Sequence, residues 1–513
     1  MSKTKKQFIK NVGTGWMMVF VTGFTGFVML PLNMDCLGQE LYGISALAIS
    51  TLTLFSFLSM GMQPSLLRFF SRAIAGNNIE EFTALSSISQ LLLSGLGIVG
   101  GIGFLCTLPW FISIYRVPET VQHDLFFLFF AIGFDFWSTM FLIPFTAIIQ
   151  GSNRFDAGNI RTCLSKIIRL VALLFGYSFF TPSLLILAVS TFVGTIYQLS
   201  SLIFLAYRVR GNSIFFRSRS LRWNLLPALF SLSALNLVHQ VCMGLSVQLP
   251  VLIIGKTLGV GMVAAFAPTL LLGSFCSTIL MQISIPLVPV ASRDIIESGG
   301  KNIGRWAIQM GEIVACVGCS IVIVFALFGC EIITAWMGES FAWTGTIVTI
   351  VVMGFVFASI QTTSYRLALG GNTSIVPFAL STVAVAIAVS LGTWLGTVYG
   401  GWSLLGVALF ITLVRLIRNT FYLAFVFSWQ LGYGFAEYTW RVHVKPLMLG
   451  LLVIGAFYML KGQVAVSMDS IPILFLASLL ASGIYLILCW VFVLQKKTKT
   501  GMLKLIVKQV HQG

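Results

Sequence analysis

Charged residues are scarce in this sequence. Only 9% of its 513 residues are Asp, Glu, Lys or Arg, only 15 are acidic, and 58% are hydrophobic. Because a water-soluble chain of this length needs a far more charged surface, the composition excludes a soluble globular protein. The few acidic residues leave a net charge of +16. Since the cations are spread over separate loops, we expect them to face anionic membrane lipids and not nucleic acid.

The sequence is also poor in residues that bind metals or form catalytic sets. It contains only four His, and its nine Cys lie mostly inside apolar runs. Cys316 and Cys319 are one helical turn apart in such a run, which predicts close packing and not a metal site. No loop on the predicted outer side is long enough to house a catalytic centre. We therefore expect no metal, no cofactor and no enzymatic activity.

What the sequence has instead is a series of about fourteen apolar stretches, most with the roughly 20 residues that a helix needs to cross a bilayer. We expect an all-α, multi-pass membrane protein. The first stretch is too long for a signal peptide and lacks a small-residue cleavage site, so we expect it to be retained. The predicted spans are 12–33, 42–62, 84–106, 125–149, 161–180, 184–206, 226–250, 260–288, 307–329, 345–366, 377–397, 402–424, 444–461 and 472–494.

The cations are distributed unevenly over the gaps between these spans. Only Arg116, Lys256 and Lys461 lie in one set of alternate gaps, whereas most of the others lie in the second set or in the terminal segments. Lys and Arg are retained on the cytoplasmic side during insertion. The pattern therefore predicts that both termini are cytoplasmic and that the number of spans is even.

Short motifs recur about 220 residues apart, at equivalent places in the span map. The offset covers an even number of spans, so both copies would insert with the same orientation and form a parallel repeat. The motif pairs are LGQEL at 37–41 with IGKTL at 254–258, SRAI at 71–74 with SRDI at 292–295, and Gly151 with Gly370. The predicted domains are an N-terminal six-helix bundle over 1–217, a C-terminal six-helix bundle over 218–430, and two additional spans with a basic cytoplasmic tail over 431–513.

Ionisable residues inside spans are informative because burying a charge in hydrocarbon costs at least about 2.5 kcal/mol. Asp135 lies near the middle of the fourth span, and His239 lies in the seventh span between Asn236 and Gln240. We expect these four to face a polar cavity, where Asp135 and His239 are candidate proton carriers. A buried structural hydrogen bond between helices is the alternative. Glu312, one turn into the ninth span, is predicted to be interfacial.

Five further cations lie at or inside the inner halves of spans. Lys166 and Arg169 are three residues apart, as are Arg415 and Arg418, so each pair is predicted to share one helix face. Arg366 ends the tenth span. These side chains would give a cavity a cationic lining for an anionic cargo. The alternative is that they extend along the helix to reach the inner headgroups.

Three motifs carry a resemblance to a known family. They are LGxxLYGxxA over 37–46, the run from Gly61 to Arg72, and QGxxRFxxxN over 150–159. They resemble polysaccharide transporters of the multidrug/oligosaccharidyl-lipid/polysaccharide (MOP) superfamily, and the resemblance covers essentially the whole chain. It implies two six-helix bundles around a central cavity and a lipid-linked oligosaccharide as cargo, as in Wzx-like flippases. The first span carries no charge between Lys10 and Asp35, which argues against the lipid II flippases of the superfamily.

These observations predict a flippase in the bacterial cytoplasmic (inner) membrane. It would move a polyprenyl-pyrophosphate-linked repeat unit of O-antigen, capsule or exopolysaccharide by alternating access, with a proton or a sodium ion as the candidate coupling ion. A small-molecule exporter of the same fold is the main alternative. A membrane polysaccharide polymerase is the weaker one, since such enzymes usually need a large outer loop or paired acidic residues. Membrane lipids and polysaccharide polymerase machinery are the further candidate partners.

Overall fold

The computed structural model describes residues 3–56, 62–225, 234–284, 287–370, 374, 376–461 and 471–494. The secondary structure of these residues is helical, and no β-strand occurs among them. Within the same residues, 13 helical segments are long and apolar enough to cross a membrane. The prediction of an all-α, multi-pass integral membrane protein is therefore confirmed.

The chain forms two compact units, 1–264 and 265–513. Three short 3₁₀ helices follow the seventh helix of the first unit, at Gly211–Ile214, Ser218–Ser220 and Trp223–Leu225. The predicted boundary between two bundles at residue 217 stays a prediction. The α-helices of the first unit are α1 (Lys3–Ser56), α2 (Met62–Ala75), α3 (Ile79–Cys106), α4 (Leu108–Tyr115), α5 (Glu119–Gly151), α6 (Phe155–Phe179), α7 (Leu184–Arg210) and α8 (Ala234–Thr257).

Helix α1 contains the first two predicted spans. Its apolar part runs from Gly13 to Phe55 and has 43 residues, about twice the 20 that one crossing needs. Gly38 interrupts the helix between the two spans, with φ 78° and ψ 167°. This backbone conformation is essentially restricted to glycine, because a Cβ would be strained there. With α1 divided at Gly38, the 13 apolar segments accommodate the fourteen predicted spans.

The second unit begins within the helix that follows α8. It also contains a 3₁₀ helix at Glu339–Phe341 and three π-helical segments, at Ile417–Tyr422, Thr439–Val444 and Cys489–Val493. The remaining α-helices are α9 (Val260–Ser284), α10 (Leu287–Ser298), α11 (Ile303–Met337), α12 (Thr344–Gly370), α13 (Val376–Val398), α14 (Leu404–Leu416), α15 (Leu423–Leu431), α16 (Phe435–Tyr438), α17 (Lys445–Lys461) and α18 (Ile471–Leu488).

The repeated motifs occupy equivalent places in the two units. The short helices α2 and α10 carry the SRAI and SRDI motifs, and Gly151 and Gly370 end the long helices α5 and α12. In the first unit a Cβ added at Gly151 would lie 3.3 Å from the Ser71 Oγ. In the second unit the Ser292 hydroxyl donates a hydrogen bond to the carbonyl oxygen of Gly370 over 3.1 Å. Each unit thus packs its short helix against the glycine end of a long span in the same way.

The hydrophobic core of the first unit positions the polar residues described below. Helices α2, α3, α5 and α7 bury apolar side chains against one another, with Phe70, Leu85 and Phe145 almost fully enclosed. In a bilayer these side chains would otherwise face lipid tails, so their packing stabilises the unit through close van der Waals contact. The core holds α5 and α7 side by side, and this packing brings together polar groups that are distant in sequence.

Candidate functional site

Asp135 lies at the middle of α5 and is half-buried. The Thr195 hydroxyl, on α7, donates a hydrogen bond to the Asp135 Oδ1 over 2.5 Å. The side chain of Thr195 is buried. The two helices therefore hold a carboxylate inside the first unit.

Lys166 and Arg169 on α6 are electrostatic neighbours of this carboxylate. No ion pair within 4 Å joins them to Asp135 in the described part of the chain. Helix α6 approaches α7 closely at Gly194, where an added Cβ would lie 3.0 Å from the Arg169 Cβ and 3.2 Å from the Ser165 carbonyl oxygen. Glycine at 194 thus permits this close approach of α6 to α7.

We refer to Asp135, Lys166, Arg169 and Thr195 as the first-unit cluster. It contains two cations and one carboxylate, so its formal charge is positive. The Arg169 Nε is buried and has no hydrogen-bond partner among the described residues. A buried donor without a partner is unfavourable, and a charged one more so. An anion that entered beside α6 would satisfy both the excess charge and the free donor.

Helix α8, also in the first unit, carries the remaining predicted polar residues. The side chain of His239 is buried and that of Gln240 is half-buried. Asn236 lies one turn earlier in the helix, but its side chain is outside the described residues. Among those residues, no ion pair within 4 Å joins His239 to Asp135, and their role as proton carriers stays a prediction.

In the second unit Arg415 and Arg418 contact different helices. Both side chains are 8% exposed. The Arg415 guanidinium lies over the ring of Phe355 on α12, 4.7 Å from its centroid, whereas that of Arg418 lies over the ring of Phe378 on α13 at 4.9 Å. The two side chains therefore contact different neighbouring helices, and they share one helix face less closely than their spacing predicts. A π-helical segment begins at Ile417 and shifts the helical register between the two arginines.

Arg366 is half-buried near the end of α12, and its Nε is buried without a hydrogen-bond partner in the residues that the structure describes. It belongs to the second unit, as do Arg415 and Arg418. The predicted cationic residues are thus divided between the units, with Lys166 and Arg169 in the first.

Comparison with known proteins adds the family context. No family model matches the chain. It is 22% identical to the membrane protein EpsK of Bacillus subtilis, over 97% of this chain and 98% of that protein. An inward-facing multidrug resistance MATE family transporter of the MOP superfamily has a TM-score of 0.69 at 12% identity, covering 83% of this chain and 98% of the transporter.

The lipid II flippase MurJ has a TM-score of 0.63 at 12% identity, and the match covers 91% of this chain and 97% of MurJ. The protein has the fold of MOP superfamily transporters. At this level of identity the likeness shows the fold alone. The predicted architecture is confirmed, whereas the predicted place in the Wzx-like branch is not decided by these similarities.

The sequence missed one feature of the site and left the surroundings of Glu312 undefined. Glu312 is fully buried within the protein in α11, where Arg441 of the π-helical segment at 439–444 pairs with it. Its predicted place at the membrane interface stays a prediction. The Arg441 Nη2 and Nε both lie 2.7 Å from the Glu312 Oε1. The missed feature is the Thr195 partner of Asp135. The only signal for it in the sequence was that Thr195 is a polar residue in an apolar span, one turn after Thr191.

Proposed function

We propose that this protein is a flippase for a polyprenyl-pyrophosphate-linked oligosaccharide repeat unit. The observation that carries the proposal is the first-unit cluster, a half-buried site with excess positive charge and a buried, unpaired Arg169 Nε donor in a transporter fold. A pyrophosphate headgroup cannot cross the hydrocarbon layer, about 30 Å thick, without such a site. The lipid chain would remain in the bilayer while the headgroup passes through the protein.

Each member of the site has a specific role in this proposal. Arg169 and Lys166 bind phosphate oxygens, and a guanidinium suits this role because its donors match two oxygens at once. Asp135 holds the cations in place when the cargo is absent, and Thr195 orients Asp135. Arg415 and Arg366 provide positive charge in the second unit. The cargo leaves chemically unchanged, so no catalytic group is assigned.

The proposal places the protein in the bacterial cytoplasmic membrane with both termini in the cytoplasm. The distribution of Lys and Arg supports this orientation. The similarity to a lipid II flippase supports a lipid-linked cargo of the same general kind. Alternating access between the two faces would release the headgroup on the outer side.

A strain lacking the gene tests this function. We expect lipid-linked repeat units to accumulate on the inner leaflet, and a wild-type copy to restore surface polysaccharide. Arg169→Gln should restore it poorly although the variant inserts normally. Arg161→Gln is the matched control, because Arg161 lies on the same helix and its Nη1 already donates to the Ala157 carbonyl oxygen over 2.9 Å. Normal surface polysaccharide in the deletion strain would refute the proposal.

The similarity to a multidrug resistance transporter favours one alternative, a small-molecule exporter of the same fold. The same deletion strain separates the two. An exporter predicts normal surface polysaccharide and altered tolerance to toxic compounds, whereas the flippase predicts the opposite pattern.

A further inference from the structure

A groove separates α13 from α14 and the π-helical segment that follows it, entirely within the second unit. Its volume is about 510 Å³, within the range of small-molecule binding sites. Two alanines one turn apart, Ala384 and Ala388, keep the α13 side of the groove open. The other lining residues are Leu380, Ser381, Val385, Val414, Ile417, Arg418 and Tyr422.

Arg418 is the one charged side chain in this lining. It is 8% exposed, and its polar partners are neutral. Its Nε donates to the Ser381 hydroxyl over 3.0 Å, and its Nη2 donates to the Thr382 hydroxyl over 2.6 Å. No carboxylate pairs with it, and its Nη1 makes no hydrogen bond, within the residues that the structure describes. A guanidinium buried in a membrane span without a counter-charge is unfavourable unless an anion joins it.

The depth of the charge in the groove matches a lipid of the inner leaflet. Helix α13 begins at Val376 on the predicted cytoplasmic side. At 1.5 Å per residue, Ser381 lies about 8 Å and Ala388 about 18 Å along the helix from that end. The charged end of the groove therefore faces the inner headgroups, and its apolar end faces the middle of the bilayer.

The groove is also open along its side, since Leu380 is 61% exposed and Ile417 is 52% exposed. Apart from Arg418, Ser381 and the Tyr422 phenol, the lining offers an occupant only aliphatic side chains. A sugar would find few hydrogen-bond partners there, whereas a hydrocarbon chain would be well accommodated.

We propose that this groove binds an anionic glycerophospholipid of the inner leaflet. Its phosphate would lie at the Arg418 guanidinium and accept a hydrogen bond from Nη1, while one acyl chain would follow Ala384 and Ala388. The lipid supplies the counter-charge that the protein does not provide. A zwitterionic lipid would bring its own cation to the same place and would bind less well. This site is separate from the first-unit cluster and does not depend on the identity of the transported cargo.

Native mass spectrometry of the purified protein tests this inference, with phosphatidylglycerol and phosphatidylcholine as the probes. We expect wild type to retain phosphatidylglycerol preferentially. Arg418→Gln should weaken its binding at least about tenfold, because a charge-assisted hydrogen bond is lost. Ala384→Phe should fill the groove and have the same effect without changing any charge. Two controls should bind like wild type: Arg208→Gln, at an exposed arginine, and Ile387→Phe, at an exposed position of α13 outside the groove.

Several outcomes would overturn the inference. Equal retention of both lipids by wild type would do so, as would wild-type binding by Ala384→Phe. If Arg418→Gln fails to fold, Ala384→Phe decides the question alone. If undecaprenyl phosphate displaced phosphatidylglycerol from the wild type but not from Ala384→Phe, the groove would belong to an isoprenoid lipid and the phospholipid assignment would be wrong.

Discussion

At the scale of single residues, buried and half-buried charges in this protein are stabilised in different ways. Glu312 is paired with Arg441, Asp135 accepts a hydrogen bond from Thr195, and Arg418 is held by hydroxyl groups. Arg441 lies 2.7 Å from both Glu312 and Glu437, so the protein's own carboxylates already balance its charge and it offers none to an anionic ligand. The first-unit cluster and Arg418 do have such charge, and for this reason we place the two binding proposals there.

The Glu312–Arg441 pair gives a direct prediction about stability. Arg441→Met should destabilise the protein by about 3–5 kcal/mol, because Glu312 would remain buried with its main counter-charge removed. The double variant Glu312→Leu/Arg441→Met should recover most of that loss, since the uncompensated carboxylate is then gone. Thermal unfolding in one detergent measures both.

An exposed ion pair in the same protein provides the control. Arg222 and Glu80 approach to 3.1 Å, but their side chains are 51% and 85% exposed. Arg222→Met should therefore change the stability by no more than about 1 kcal/mol. A double variant at the buried site that was as unstable as Arg441→Met alone would contradict the account of Glu312.

The surroundings of Asp294, on the amphipathic helix α10, predict that the stability of the folded protein depends on pH. Hydrogen bonds from Asn302 and Ser298 hold the pKa of its carboxyl below the ordinary value. Its ionised form is therefore favoured in the folded state. The resulting stabilisation is present above the unfolded-state pKa, about 3.9, and is lost as the pH falls through the lower folded-state pKa.

We expect Asp294→Asn to lower the Tm at pH 7 and the difference from wild type to shrink as the pH falls below about 4. Unfolding followed over a pH series checks this. Glu297→Gln changes an exposed carboxylate on the same helix and should show no such trend. A Tm difference for Asp294→Asn that did not change with pH would show that the carboxylate's charge is not the cause.

At the scale of helices, interruptions of regular geometry determine where functional groups lie. Gly38 divides two spans within α1, and the π-helical segments at 417–422 and 439–444 carry Arg418 and Arg441. A π-helix widens the turn and shifts the faces that follow it. Hydropathy predicts the existence and order of the spans well because apolar runs must match the bilayer thickness. It does not predict π-segments, because these depend on packing between helices and have no distinctive composition.

The repeated glycine contacts give a prediction at this scale. A Cβ at Gly370 would overlap the Val288 carbonyl oxygen and lie 2.9 Å from the Ala291 Cβ, whereas one at Gly151 would meet nothing closer than 3.3 Å. We expect Gly370→Ala to destabilise the protein by about 1–3 kcal/mol and Gly151→Ala to have a much smaller effect. Thermal unfolding of the two matched variants measures this. Equal losses of stability in the two variants would mean that the close backbone contact at the end of α12 is not what makes a side chain at residue 370 unfavourable.

At the scale of the whole molecule, the sequence was sufficient to predict a multi-pass, all-α protein and a MOP transporter architecture. The polar residues of the site were only partly predictable. Asp135, Lys166 and Arg169 were identifiable as charges in apolar spans, and α5 and α6 carry them in the first unit; their part in binding a cargo stays a prediction. The pairing of Glu312 with Arg441 could not be predicted from the sequence, because the two residues are 129 positions apart and no local pattern connects them. The same is true of Thr195, whose partner lies 60 positions away.

The central claim is that the protein moves an acidic, lipid-linked headgroup across the membrane by means of the first-unit cluster. Purified protein in sealed vesicles containing a fluorescently labelled polyprenyl-pyrophosphate oligosaccharide tests it directly, with membrane-impermeant quenching as the readout of sidedness. We predict that wild type and Arg161→Gln equilibrate the labelled lipid between leaflets, and that Lys166→Gln and Arg169→Gln do so much more slowly. No movement with wild type, or equal rates for all four proteins, would contradict the account.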